Sequence, residues 1–87
     1  MKNIEEIANL ITRLKTQKEI CEFFDEILTN SELITLSKRW RIMKMLAKNN
    51  TQREIAKELN VSLCKVTRGA KILKNKNAHT TKFLIKE

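Results

Sequence analysis

Apolar residues recur along this chain at the three- and four-residue spacing of amphipathic α-helices. The pattern predicts an all-α protein of about six short helices in a single domain spanning residues 1–87. The last helix is expected within residues 77–87. The apolar faces of the first three are Ile4, Ile7, Ala8, Ile11 and Leu14; Ile20, Phe23, Phe24, Ile27 and Leu28; and Leu33, Leu36, Trp40, Met43 and Leu46.

Helix starts are marked by a recurring pair, a capping residue followed three positions later by glutamate. Such a capping box satisfies two backbone N–H donors that have no partner within the helix. The pairs are Asn3 with Glu6, Thr16 with Glu19, Thr29 with Glu32, and Thr51 with Glu54. The third helix is expected to end at Asn49 or Asn50, because asparagine tolerates a left-handed backbone.

The predicted apolar stripes are broad. Wide stripes must cover one another, and 87 residues enclose little volume in which to do so. We therefore predict a homodimer, with residues 1–49 as its helical dimerisation core.

Residues 51–74 have the pattern of a helix-turn-helix. Ile55 and Leu59 form the inner face of its first helix, and Ala56 is small enough for two helices to cross closely. The turn falls at Asn60 and Val61. Ser62 is expected to cap the second helix. The inner residues of that second helix are predicted to be Leu63, Val66 and Leu73.

Charge divides the chain unevenly and adds a functional expectation. Residues 1–33 hold four basic and seven acidic side chains, whereas residues 34–87 hold fourteen basic and three acidic ones. The net charge of +8 is a field that attracts polyanions. The alternative is an ordinary solvated basic surface.

Since the second helix of a helix-turn-helix enters the major groove, we expect its polar face to bind double-stranded DNA. That face holds Cys64, Lys65, Thr67, Arg68 and Lys71, and Gln52 and Arg53 add donors at the start of the preceding helix.

The segment NNTQREIAKELNVSLCKVTRGAKILK resembles the DNA-binding half of the tryptophan repressor family, and LTNSELITLSKRWRIMKML resembles that family's ligand-side helix. The likeness covers roughly Glu22 to Lys74. It implies an intertwined homodimer in which an amino-acid corepressor sets the spacing of two DNA-binding helices over a palindromic operator. The positions that match the family's DNA contacts are Gln52, Arg53, Leu63, Cys64, Lys65, Thr67 and Arg68.

The resemblance also implies a ligand site. Arg39 and Arg68 match the arginines that hold an indole ring, and Arg68 would also meet the ligand carboxylate. Thr29 matches a hydroxyl at that carboxylate, although helix capping is the more common role of such a residue. Leu28 would offer a carbonyl to the ammonium group. Gly69 would leave room beside the ring.

The chain departs from the family pattern within this site. Ile72 stands where a serine helps to bind the ligand ammonium, Lys65 and Ala70 replace a threonine and a serine, and Glu26 replaces an apolar residue. The effector therefore stays open between L-tryptophan, an indole analogue without the amine, and none. The last alternative is a constitutive, effector-independent nucleic-acid-binding or architectural protein. A protein-binding helical module is a third class, but it leaves the basic portion unexplained.

Other functions find little support in the sequence. It has no glycine-rich phosphate loop, metal-ligand cluster or nucleophile paired with a base, so we expect no enzyme and neither cofactor nor metal. Cys21 and Cys64 are expected as free thiols, His79 at the surface, and Trp40 in packing. With neither a membrane span nor a secretory signal in the sequence, we expect a cytoplasmic protein without a membrane partner.

Overall fold

The structure, a computed structural model, describes residues 1–85, and all its regular secondary structure is α-helical. The prediction of an all-α fold with six helices is confirmed. The helices are α1 Lys2–Arg13, α2 Gln17–Ile27, α3 Asn30–Ala47, α4 Gln52–Leu59, α5 Leu63–Lys74 and α6 His79–Leu84. Lys86 and Glu87, which the expected last helix includes, lie outside the described residues. No helix in the described part of the chain is long and apolar enough to cross a membrane.

The chain divides into two compact units. The first unit is Met1–Ile34, and the second unit is Thr35–Glu87, of which residues 35–85 are described. Helix α3 begins in the first unit and ends in the second.

Three of the four predicted capping boxes are present. Glu19 and Glu54 each close a box with the threonine that caps α2 or α4. At α3, the Thr29 N–H donates to Glu32 Oε1 at 2.8 Å, and the Glu32 N–H donates to Thr29 Oγ1 at 3.1 Å. The prediction for Asn3 is wrong. Helix α1 begins at Lys2 after Met1, so Asn3 is already helical and cannot take the extended backbone of a capping residue.

The first unit buries little apolar surface within one chain. Helix α1 has no buried residue, and Ile4 remains 54% exposed. In α2, Phe23 is buried, and its ring centroid lies 6.1 Å from that of Phe24. The other large apolar side chains of this unit that are exposed are Met1, Leu10, Ile27 and Ile34.

The core of the second unit lies between α3 and the helix-turn-helix. Its buried residues are Ile42, Ile55, Leu59 and Val66, with Ala56 and Val61 packed against them. Asn60 ends α4 in the left-handed conformation, with φ of 53°, and the Val61 N–H donates to the Ala56 carbonyl. Asn49, at the end of α3, is also left-handed, with φ of 68°.

The predicted inner face of α5 needs one correction. Ser62 caps the helix by accepting a hydrogen bond from the Lys65 N–H, as expected, and Val66 is fully buried. Leu63, however, is 47% exposed. A helical side chain covers the turn that precedes its own Cα, and Leu63 is the first residue of α5 and has no preceding turn. Leu73, the third predicted inner residue, is half-buried.

Gly69 lies where α5 packs closely against α3. A Cβ atom at this position would lie 3.0 Å from Met43 Sδ, 3.1 Å from Leu46 Cδ1 and 3.2 Å from Ile42 Cγ2. Ile42 is itself buried, so its methyl group has little room to withdraw. The structure thus explains a glycine inside a helix, where glycine costs about 1 kcal/mol relative to alanine. The side chains of α3 occupy the space.

We expect Gly69→Val to lower the free energy of unfolding by about 1–3 kcal/mol, because the added atoms overpack the contact with α3. Urea denaturation followed by circular dichroism measures the change. Lys71→Val is the matched control, since Lys71 is exposed on the same helix and its replacement changes mainly helix propensity, by a few tenths of a kcal/mol. Equal losses in the two variants would contradict the close-approach explanation.

The capping boxes also make stability depend on pH. The hydrogen bond from the Thr51 backbone N–H lowers the pKa of Glu54, and the Thr51 hydroxyl adds to the effect. A carboxyl whose pKa is lowered by folding stabilises the native state above its unfolded pKa, and the contribution is lost as pH falls through the folded pKa.

We therefore expect Glu54→Gln to be less stable than the unmodified protein at pH 7, and the difference to shrink as the pH is lowered towards about 3 and the Glu54 carboxylate becomes protonated. Thermal denaturation at both pH values measures it. Glu22→Gln is the control, because Glu22 is exposed in the middle of α2 and its carboxylate takes no part in a capping box. A Glu54→Gln deficit that persists unchanged at pH 3 would show that the box does not act through the carboxylate charge.

Candidate nucleic-acid interface and ligand cavity

The residues predicted to contact DNA all lie in the helix-turn-helix. Five of them project from the outer side of α5 and are exposed: Leu63, Cys64, Lys65, Thr67 and Arg68. The other two open α4, where Arg53 is exposed and Gln52 is half-buried. Val66, between these positions, and Gly69, directly after them, are buried, so helical geometry separates the outer face from the packed face.

A hydrogen bond connects the two groups, which sequence reasoning did not anticipate. The Thr67 hydroxyl lies 2.9 Å from Gln52 Oε1 and 3.0 Å from the Leu63 carbonyl, so it can donate to either. In the first arrangement it orients the Gln52 amide, whose NH₂ group makes no hydrogen bond within the described residues. The first residue of α4 is thus held against the outer face of α5.

The N-terminus of α4 keeps two backbone donors available. The first intrahelical bond runs from the Ile55 N–H to the Thr51 carbonyl, and the Glu54 N–H donates to Thr51 Oγ1. The Gln52 and Arg53 N–H groups precede these bonds and have no helical acceptor. Such groups bind anions well.

Little of the positive charge is neutralised within the chain. Among the described residues the ion pair is Arg41 with Glu58, at 3.5 Å and with both side chains 58% exposed. An exposed pair of this kind contributes little to stability. The charges of Arg53, Lys65 and Arg68 therefore remain available to an external anion. No cluster of metal-ligating side chains occurs in residues 1–85.

A cavity of about 230 Å³ lies within the second unit, between the C-terminal part of α3, α5 and α6. It brings together four of the residues that the resemblance assigned to a ligand: Arg39, Arg68, Gly69 and Ile72. The rest of its lining is Leu36, Trp40, Ile42, Met43, Lys65 and Thr80. Sequence reasoning assigned Trp40 to packing and Lys65 to DNA, and it missed Thr80.

Leu28 and Thr29, the other two predicted ligand residues, belong to the first unit. Leu28 ends α2, and its N–H donates to the Phe24 carbonyl at 2.9 Å. Thr29 uses its hydroxyl to cap α3. Capping, the alternative weighed for Thr29 from the sequence, is therefore what this hydroxyl does in the structure.

A hydrogen bond from a buried threonine hydroxyl attaches α6 to α5, which forms part of the cavity wall. Thr81 is buried, and its Oγ1 donates to the Ile72 carbonyl at 3.1 Å. Phe83 lies against Trp40, with ring centroids 5.8 Å apart. A helix of six residues shows too little periodicity to reveal which threonine faces inward, so the sequence carried no signal for this contact.

Comparison with known proteins gives consistent matches. A family model described as Trp repressor protein matches residues 2–87. A Trp operon repressor homolog from Chlamydia trachomatis serovar D is 33% identical over 93 aligned positions, which span 100% of this chain and 99% of that protein. A Trp operon repressor homolog from Xylella fastidiosa strain 9a5c is 36% identical over 74 positions, 84% of this chain and 80% of that protein.

A further relative has no assigned function. The uncharacterized protein YerC of Bacillus subtilis strain 168 is 31% identical over 67 positions, which span 77% of this chain and 64% of that protein. No solved structure is significantly similar to this chain.

We expect Thr81→Val to lower the free energy of unfolding by about 1 kcal/mol and to speed amide hydrogen exchange in α6, because valine keeps the shape but loses the hydrogen bond. Chemical denaturation measures the free energy of unfolding, and NMR measures the amide exchange rates. Thr12→Val is the control, since the exposed Thr12 hydroxyl also donates to a carbonyl, that of Asn9, where water can replace it. Unchanged amide exchange rates in α6 would contradict the conclusion that the Thr81 hydrogen bond attaches this helix to α5.

Proposed function

We propose, since the chain belongs to the Trp repressor family, that it is a sequence-specific DNA-binding transcriptional repressor that acts as a homodimer. The names of its relatives in Chlamydia and Xylella support this function. The observation that carries the proposal is the outer face of α5, where Lys65, Thr67 and Arg68 are exposed on a helix whose other side is fixed in the core.

In this proposal α5 enters the major groove of double-stranded DNA. Lys65 and Arg68 are suited to guanine edges or phosphates, and Leu63 offers an apolar contact to a thymine methyl group. The Gln52 and Arg53 amides at the start of α4 receive a phosphate. The Thr67 hydroxyl holds Gln52 against α5, so both helices meet one DNA segment with a fixed separation. Cys64 lies beside these residues, on the same exposed face.

The homodimer rests on the first unit. Its helices leave Ile4, Leu10, Ile27 and Ile34 largely exposed within one chain, and a partner copy would cover such surface. Two copies would present two α5 helices to half-sites separated by one helical turn of DNA, about 34 Å. The operator is then expected to be palindromic.

The cavity supports an effector-responsive mechanism. Arg68, Gly69 and Ile72 of α5 line it together with Arg39 of α3, so a bound molecule contacts the DNA-binding helix and the helix behind it. Such a ligand biases the position of α5 by its differential affinity for the positions that α5 can take. L-tryptophan or an indole analogue is the corepressor that the family suggests.

An effector-independent nucleic-acid-binding protein is the second candidate. The observation that favours it is Ile72, an apolar residue in the cavity wall at the position where the family pattern has an ammonium-binding serine. The effector-responsive and the effector-independent protein are distinguished by measuring DNA affinity without ligand, with saturating L-tryptophan and with saturating amine-free indole analogues. Unchanged affinity with every compound would favour this alternative.

The DNA-binding proposal is tested by selecting bound duplexes from a random double-stranded pool and measuring the affinity of the selected site against salt concentration. We expect a palindromic consensus. We also expect the slope of log affinity against log salt to fall by about 0.9 for each phosphate contact removed, in Arg53→Ala and in Lys65→Ala if each meets a phosphate. Lys18→Ala, which removes one charge from α2, should leave the slope unchanged. Binding without sequence preference would contradict the proposal. So would the same salt-dependence slope in Arg53→Ala, Lys65→Ala and Lys18→Ala.

A further inference from the structure

A hydroxyl on α5 and an amide on α4 meet within the helix-turn-helix. Thr67 Oγ1 lies 2.9 Å from Gln52 Oε1 and 3.0 Å from the Leu63 carbonyl oxygen, and both distances are those of O–H···O hydrogen bonds. Gln52 and Thr67 are 15 residues apart in the sequence, so their contact exists only because α4 and α5 pack together. The predicted DNA interface therefore contains a polar contact between its two helices.

The Thr67 hydroxyl has one proton, and both of these neighbours are acceptors. A hydroxyl donates a single hydrogen bond, and the oxygens of a DNA phosphate can only accept. A proton that is donated to Gln52 or to Leu63 is therefore not available to a phosphate. The resemblance, by contrast, assigns Thr67 a direct contact with DNA.

The Gln52 amide is planar, so a hydrogen bond at its oxygen also directs its nitrogen. With Oε1 accepting from Thr67, the two N–H donors of the amide point away from that hydroxyl. They supplement the Gln52 and Arg53 backbone N–H groups, which have no acceptor within α4. Such a group of donors at a helix start suits a phosphate oxygen.

Holding Gln52 in place before DNA arrives also favours binding. A glutamine side chain has several rotatable bonds, and it loses this freedom when it contacts a partner. A side chain that is already ordered in the free protein has less freedom to lose. The Thr67 side chain suits this task, because β-branching restricts its χ1 rotamers in a helix.

From these observations we infer that Thr67 is a positioning residue, which acts on DNA through Gln52 and gives the DNA no hydrogen bond of its own. The Thr67 hydroxyl holds Oε1, and Gln52 then presents its N–H donors to a phosphate of the DNA backbone. Because a phosphate contact carries no base information, the pair strengthens binding to every sequence alike. This inference deepens the proposed function and rests on its DNA-binding part.

A double-mutant cycle on the selected duplex, at one salt concentration, tests the pair. It compares Thr67→Val, Gln52→Ala and the double variant, since valine keeps the shape of threonine and removes the hydroxyl. We expect each single variant to bind about fivefold more weakly than the unmodified protein, as for the loss of one hydrogen bond. The double variant should bind as Gln52→Ala does, because the group that Thr67 positions is already absent. Additive losses, or a Thr67→Val variant that binds like the unmodified protein, overturn the inference.

Thr67→Ser is the matched control. Serine keeps the donor and loses only the methyl group, so we expect binding within about twofold of the unmodified protein. Thr51 caps α4 and Thr67 is exposed, so none of these substitutions removes a helix cap or a fully buried side chain. Circular dichroism checks that each variant is folded. A serine variant that binds as weakly as the valine variant overturns the role of the hydroxyl.

Neutral phosphates locate the contact. Selected duplexes that each carry one methylphosphonate in place of a phosphate are titrated with the unmodified protein, Gln52→Ala and Thr67→Val. We expect one position where the neutral group weakens binding of the unmodified protein and has no effect on either variant. A position that loses its effect in Thr67→Val but keeps it in Gln52→Ala would mark a direct Thr67 contact and overturn the inference. The absence of any position that depends on Gln52 overturns it as well.

The sequence preference gives an independent measurement. We expect Thr67→Val to select the same consensus from the random pool as the unmodified protein does, with lower affinity for it. A changed consensus would mean that Thr67 contacts a base edge, which overturns the inference.

Failure of this inference and failure of the proposed function are distinguishable. A protein that selects no duplex contradicts the repressor and overturns this inference with it. Sequence-specific binding with additive losses in the cycle overturns the role of Thr67 and leaves the repressor standing.

Discussion

The close approach of α5 to α3 at Gly69 is the constraint on which the second unit depends. A Cβ atom there would lie within 3.0–3.2 Å of the side chains of Met43, Leu46 and Ile42. Because glycine has no Cβ atom, α5 packs directly against α3. Val66 is then buried in the core that α3 forms with the helix-turn-helix. Gly69, Ile42 and Met43 also line the cavity, so core packing and the candidate ligand site share this contact.

Helix α5 borders the core, the solvent and the cavity, and Lys65 and Arg68 belong to both the exposed face and the cavity lining. Val66 and Gly69 face the core, Thr67 and its neighbours face outward, and Arg68 and Ile72 border the cavity. The cavity thus borders the helix that carries the outer basic face.

Polar contacts determine where helices begin and how the short elements attach. Reciprocal hydrogen bonds open α2, α3 and α4, and the Thr51–Glu54 pair also leaves the first two amides of α4 available to an anion. At the other end of the chain, the buried Thr81 hydroxyl fastens α6 to α5. These bonds are individually modest, but they determine where α2, α3 and α4 begin and where α6 attaches.

Much of the fold was determined by the sequence alone, because helical periodicity and capping are local: bonds within three or four residues decide them. Such patterns predicted the six helices, the turn at Asn60 and the cap at Ser62. They did not predict that Asn3 is no cap or that Leu63 is exposed, because both depend on the exact residue at which a helix starts. The resemblance indicated Arg39, Arg68, Gly69 and Ile72 together. Only the tertiary structure placed Trp40, Lys65 and Thr80 around the same cavity, because residues from three helices meet there through packing across long sequence separations, which no local spacing encodes.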